Sequence, residues 1–130
     1  MLKLQRQMAE LLKKTIAERP LVYLNGPRQA GKSWLAQNLN LGQDINYITL
    51  DSPLVLASAK AYLENFTKSL PTDRLSVIDE VQLAPEIFRL LKISIDENRM
   101  KGRNAGLYLL TGSANPWRQI RQRHSHLHRQ

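Results

Sequence analysis

"GPRQAGKS", residues 26–33, follows the apolar run "LVYLN" (21–25) and opens "KSWLAQNL" (32–39), a segment with helical character. Two glycines separated by four residues, then a lysine and a hydroxyl, stand where a strand gives way to a helix. That combination suits anion binding. Gly26 and Gly31 let the backbone turn tightly and aim its N–H groups inward, and the helix that follows offers its positive end to phosphates. The pattern is G-x-x-x-x-G-K-[ST] with its required flanks, a buried strand before and a helix after. Lys32 would meet the β and γ phosphates as a point charge, and the Ser33 hydroxyl would ligate Mg²⁺. The whole segment of Gly26, Pro27, Arg28, Gln29, Ala30, Gly31, Lys32 and Ser33 is therefore the candidate nucleotide-binding loop. A bland alternative is a glycine turn with a surface lysine.

Outward from this loop, strand and helix patterns alternate. Leu4, Met8, Leu11, Leu12 and Ile16 recur at helical spacing, so residues from about 3 to 18 form an amphipathic helix that Pro20 ends. "LVYL" (21–24) is wholly apolar, the pattern of a strand covered on both faces. A helix is expected over 32–40, a strand over "INYITL" (45–50), and a helix from Pro53 to about Asn65 behind the capping side chains of "DSP". "LSVID" (75–79) is a third strand, Pro85 opens a helix carrying Ile87, Phe88, Leu91 and Ile95, and "GLYLLTGS" (106–113) contains a fourth strand. Such alternation predicts an α/β fold, a three-layer P-loop NTPase-like parallel sheet with helices on both faces. With about four strands, that sheet would be incomplete.

Two further segments carry candidate chemistry. "LSVIDE" (75–80) is an apolar strand ending in adjacent acids about fifty residues after the loop, where a P-loop fold places a carboxylate for its metal. Asp79 would hold Mg²⁺ through water, and Glu80, at the carboxyl edge of the strand where ligands bind in open α/β sheets, would polarise the attacking water as a general base. Two solvated acids closing a strand are the alternative. "YLLTGS" (108–113) ends in Thr111 and Ser113, which could offer a hydroxyl to the γ-phosphate or the water, or simply terminate the strand.

Composition narrows the class. At 130 residues the chain suits one domain. No run approaches the ~20 consecutive apolar residues that span a bilayer, so no membrane is expected. The charged N-terminus does not read as a signal peptide, and no cysteine is present, which makes the cytosol (a cytoplasmic location) the expected compartment. The net charge is +8, yet residues 1–97 hold twelve Lys/Arg against all eleven Asp/Glu, while the seven Lys/Arg beyond Glu97 face no acid. Basicity confined to one end describes a tail or a loop better than a basic face of the whole fold. Nucleic acid is therefore a candidate partner, but no reading helix or aromatic platform accompanies the charge. ATP is preferred to GTP because no [NT]-K-x-D segment occurs. A small P-loop kinase is the rival within the fold, disfavoured by the tandem Asp79–Glu80 and by the lack of an arginine-rich insertion before the last strand.

"GPRQAGKS", "INYITLDSP", "VIDEVQLAPEIFRLLKISID" and "LYLLTGSAN", in that order and spacing, resemble the AAA-type (ASCE) ATPase domain of a widespread prokaryotic family. The resemblance runs from about Met1 to Asn115. It implies that Gly26, Gly31, Lys32 and Ser33 form a Walker A motif, Asp79 and Glu80 a Walker B pair, and Thr111 to Ser113 a sensor-1 region that brings Thr111 to the nucleotide. ATP and Mg²⁺ are the implied cofactors, ATP hydrolysis the implied activity, oligomerisation a candidate property, and the strand before the loop should lie beside "LYLLT". Members carry a C-terminal domain of unknown function, described as restriction-endonuclease-like.

The chain departs from that pattern after Asn115. "PWRQIRQRHSHLHRQ" (116–130) shows no strand or amphipathic run and supplies neither a lid nor a second-domain arginine. It is expected to be a disordered basic tail on a truncated ATPase core (1–115), and to be read out of frame; weak hydrolysis, or binding without turnover, follows. His124, His126 and His128 alternate and could bind Zn²⁺ or Ni²⁺ in extended chain, although an accidental His-rich tail is the simpler reading. Asp51 could face the phosphates or share an N-cap role with Ser52. Trp34 could pack in the core or near the nucleotide, and Arg28 could touch phosphate or stay solvated.

Overall fold

A computed structural model describes residues 2–26, 32–39, 41 and 44–113. The chain runs α1 (Leu2–Glu18), β1 (Leu21–Asn25), α2 (Lys32–Gln37), β2 (Asn46–Thr49), α3 (Pro53–Ala61), α4 (Leu63–Lys68), β3 (Ser76–Asp79), a 3-10 helix (Val81–Leu83), α5 (Ile87–Met100) and β4 (Tyr108–Gly112). The four strands form one sheet in the order β1-β4-β3-β2, and every pairing is parallel. This is the expected α/β architecture, and β1 does lie beside β4.

Because side chains alternate along a strand, β3 and β4 feed two separate cores. Val77 and Leu109 point to one face, where Leu12 and Ile16 of α1 and Leu35 and Ala36 of α2 cover them. Ile78, Tyr108 and Leu110 point to the other, against Ala59 of α3 and Ile87 and Leu91 of α5. Helices therefore lie on both faces. Leu63 and Phe66 of α4 pack against the second core as well. At the end of α5, Gly102 takes a φ of 86°, and the Arg103 N–H returns to the Asn98 carbonyl at 2.8 Å, closing the helix with a left-handed glycine.

Four local expectations need correction. The strand "LVYL" is covered only in part: Leu21 packs on one core and Val22 and Leu24 on the other, but Tyr23 is 38% exposed. The wholly apolar run measures affinity for a pleated surface, not its place in the sheet. On α1, Leu12 and Ile16 are buried as expected but Met8 and Leu11 are exposed, and the Leu4 side chain lies outside what is described. The helix expected over 53–65 breaks at Tyr62 (φ −135°, ψ 63°) and resumes to Lys68, so that α3 and α4 each present an apolar side to the core. Pro85 lies in the turn before α5, which starts at Ile87.

Candidate functional site

Parallel strands bring their carboxyl ends to one edge, and the chemistry-bearing side chains gather there. Register aligns Asn25 with Gly112 and Thr49 with Asp79. The Gly26 N–H bonds the Gly112 carbonyl at 3.2 Å, so the glycine-rich segment leaves β1 directly beside the end of β4. Pro27, Arg28, Gln29, Ala30 and Gly31 lie outside the described residues. Lys32 opens α2 and Ser33 follows in its first turn; their side chains are likewise outside what is described.

Asp79 is buried and held by hydroxyls from both neighbouring strands. Thr111, fully buried on β4, donates to Asp79 Oδ1 and accepts the Glu80 backbone N–H at 3.2 Å. Tyr47 on β2 donates to Asp79 Oδ2 at 2.9 Å, and its oxygen accepts from Gln37 Nε2 at 3.2 Å. Gln37 sits on α2, the helix that Lys32 opens, so Tyr47 ties that helix to the end of β3. Burial raises the Tyr47 pKa above its ordinary 10.0, with the Asp79 carboxylate adding to the rise and the Gln37 hydrogen bond opposing it. Its hydroxyl therefore stays a donor.

Glu80 is the one non-glycine residue with positive φ among those described, at φ 59° and ψ 44°. A left-handed residue of this kind costs on the order of 1 kcal/mol or more. The turn redirects the chain from β3 into the 3-10 helix, and it swings the carboxylate toward the end of β4. There, Oε2 accepts from Gln82 Nε2 at 2.6 Å and from the Ser113 hydroxyl at 2.7 Å. Burial of an ionised carboxylate is tolerated because such donors replace water. Tyr23 reaches the same corner from β1, its ring stacked on Phe88 with centroids 5.5 Å apart. Burial first, then the Glu80 charge, raises the Tyr23 pKa.

Asp79, Glu80, Thr111 and Ser113 are thus brought together with the origin of the loop. Asp51 is exposed, its N–H bonded to Thr49 Oγ1, and Ser52 takes the N-cap of α3 by accepting from Val55. Trp34 is 48% exposed on α2, not a core residue. Tyr47, Gln37, Tyr23 and Gln82 escaped the sequence reading; a tyrosine inside "INYITL" and a glutamine two residues after Glu80 were the available signals. A cavity of about 220 Å³ between α4 and α5, bordered by Thr67, Ser94 and Asn98, shares no residue with this cluster. Residues 116–130, with the three tail histidines, lie outside the described residues. Among those described, no helix is long and apolar enough to cross a membrane.

A parallel sheet whose first strand feeds a glycine-rich loop and a helix, with buried acids at the neighbouring carboxyl ends, defines an α/β P-loop NTPase-like protein. A family model described as an AAA domain matches residues 18–128, and the chain belongs to that family of nucleotide-binding ATPases. Uncharacterized proteins of Mycobacterium bovis and of Mycobacterium tuberculosis are each 31% identical over 112 residues, which is 86% of this chain and 24% of the relative. The chain therefore spans about a quarter of the length of these curated relatives.

Proposed function

We propose that the chain binds ATP together with Mg²⁺ through residues 26–33 and, within a longer protein, hydrolyses it. The observation that carries this reading is the buried cluster at the carboxyl ends of β3 and β4, beside the point where the Gly26 N–H meets Gly112. Lys32 would neutralise the β and γ phosphates. The Asp79 carboxylate, with Thr111 and Tyr47 among its partners, stands at the carboxyl end of β3 and presents oxygen ligands. That suits a hard cation with oxygen ligands. Asp79 and the Ser33 hydroxyl would hold Mg²⁺, which when bound supplies positive charge to the phosphate oxygens. No group of three or more His, Asp or Glu forms a dedicated metal cage among the described residues, in keeping with an ion that retains waters and substrate oxygens.

Glu80 is the base in this reading. A water oxygen would bond to the γ-phosphorus as the bond to the β–γ bridging oxygen breaks, giving ADP and phosphate, while a water proton passes to the Glu80 carboxylate. Thr111, which holds Asp79 and the Glu80 N–H, would stand beside the nucleotide. An arginine from another domain or subunit would complete the transition-state charge, so turnover by the chain alone is slow or absent.

Calorimetric titration of ATP, with and without Mg²⁺, tests the binding step against Lys32→Ala. Metal-enhanced binding that the substitution abolishes supports the assignment. A folded chain that does not bind Mg-ATP refutes it.

A further inference from the structure

The Glu80 carboxylate is held asymmetrically. Oε2 takes both donors, Gln82 Nε2 and Ser113 Oγ, whereas among the described residues nothing donates to Oε1. Gln82 also approaches Ser113 twice: its Nε2 lies 3.1 Å from the Ser113 hydroxyl, and its Oε1 accepts the Ser113 N–H at 3.4 Å. The four bonds are mutually consistent only one way round. Reversing the Gln82 amide would turn its carbonyl oxygen toward the carboxylate and its NH₂ toward a backbone N–H, so charge and donor count fix the side chain. Gln82 thereby spans the corner between the 3-10 helix after β3 and the end of β4.

We infer that Gln82 is a positioning residue for the base: with Ser113 it pins Glu80 Oε2 and leaves Oε1 as the oxygen that takes the proton from water. This rests on the reading of Glu80 as general base. Glu80 is only 7% exposed, so Gln82 and Ser113 supply the donors that orient its carboxylate. The glutamine does not reach the reacting atoms in this scheme; it acts through the carboxylate.

Two measurements test the clamp. In the NMR spectrum of the chain without nucleotide, one side-chain amide proton of Gln82 should lie well downfield of ordinary glutamine amides, and Glu80→Ala should return it; an amide unmoved by Glu80→Ala overturns the clamp whatever the turnover. In single-turnover hydrolysis with the chain in excess over Mg-ATP, Gln82→Ala should slow phosphate release about 10- to 100-fold, the scale of a displaced catalytic group. The Kd for Mg-ATP should stay within a factor of two. Glu80→Gln should be slow by itself, and adding Gln82→Ala to it should cost nothing more, because a residue that acts only through the carboxylate has nothing left to position. Equal or additive losses in the two backgrounds, or a loss confined to affinity, overturn the inference and leave the ATPase reading standing. Where wild-type release is too slow to measure, as expected of a chain without its partner arginine, the Gln82 amide shift and its response to Glu80→Ala decide the clamp, and Mg-ATP binding abolished by Lys32→Ala tests the binding site separately.

Discussion

Gly112 offers a test of the corner around Glu80 that needs no nucleotide. It is the last residue of β4, and its φ is not among the positive ones, so backbone freedom is not why it is glycine. Close approach is the reason. A Cβ there would overlap the Tyr23 hydroxyl, stand 3.1 Å from Tyr23 Cζ and 3.2 Å from Gln82 Oε1. Gln82 can give way at its flexible end, but Tyr23 is held by its stack on Phe88. Gly112→Ala should therefore displace the ring, at an overpacking cost of about 1–3 kcal/mol, with some of the ~0.5–1.5 kcal/mol of the aromatic pair also lost; about 2–3 kcal/mol is the expected total. Urea denaturation measures it, and the second residue makes it specific. In a Tyr23→Phe background the hydroxyl is gone and only the ring carbon crowds the methyl, so the cost should fall to about 1 kcal/mol. In a Tyr23→Ala background it should approach zero. The same cost in all three backgrounds would refute the assignment of the glycine to this contact.

Thr111→Val keeps the shape but removes the hydroxyl that serves both Asp79 and the Glu80 N–H. It should cost about 2–4 kcal/mol by denaturation, since a buried carboxylate and a buried N–H each lose a partner, and Thr111→Ser should retain most of that. Tyr47 predicts a pH dependence. Its folded pKa is raised above 10.0, so the fold favours the neutral phenol: the contribution is complete below 10.0 and is lost as pH rises through the folded value. Tyr47→Phe should therefore lower stability at neutral pH, by about 1 kcal/mol for the lost hydrogen bond, and should shrink the alkaline decline. An unchanged decline in urea midpoint above about pH 10 would show that Tyr47 does not titrate this way.

Much of the proposed site was suggested by local chemistry that demands particular residues in a row. A tight turn that presents N–H groups needs glycine, a helix start that meets phosphate suits lysine and a hydroxyl, and an apolar strand ending in acids marks the carboxyl edge of a sheet. Gly26, Gly31, Lys32, Ser33, Asp79 and Glu80 enter the proposed site for those reasons, and the alternation of strands and helices announced the parallel sheet that the structure shows. The placing of β1 beside β4 came only through family resemblance, since nothing in either strand's own residues names its neighbour.

The tertiary structure decided what depends on residues far apart in the chain. Tyr47 meets Asp79 across 32 positions and Ser113 meets Glu80 across 33, and neither contact leaves a local pattern. The left-handed turn at Glu80, the break at Tyr62 and the exposure of Tyr23 are likewise set by what the neighbouring elements leave room for. Sequence by itself determined which groups carry the charge and where the chain must turn. Only the packed sheet determined which groups hold Asp79 and which oxygen of Glu80 takes Gln82 and Ser113, because hydrogen-bond partners are chosen by distance in space and not by distance along the chain.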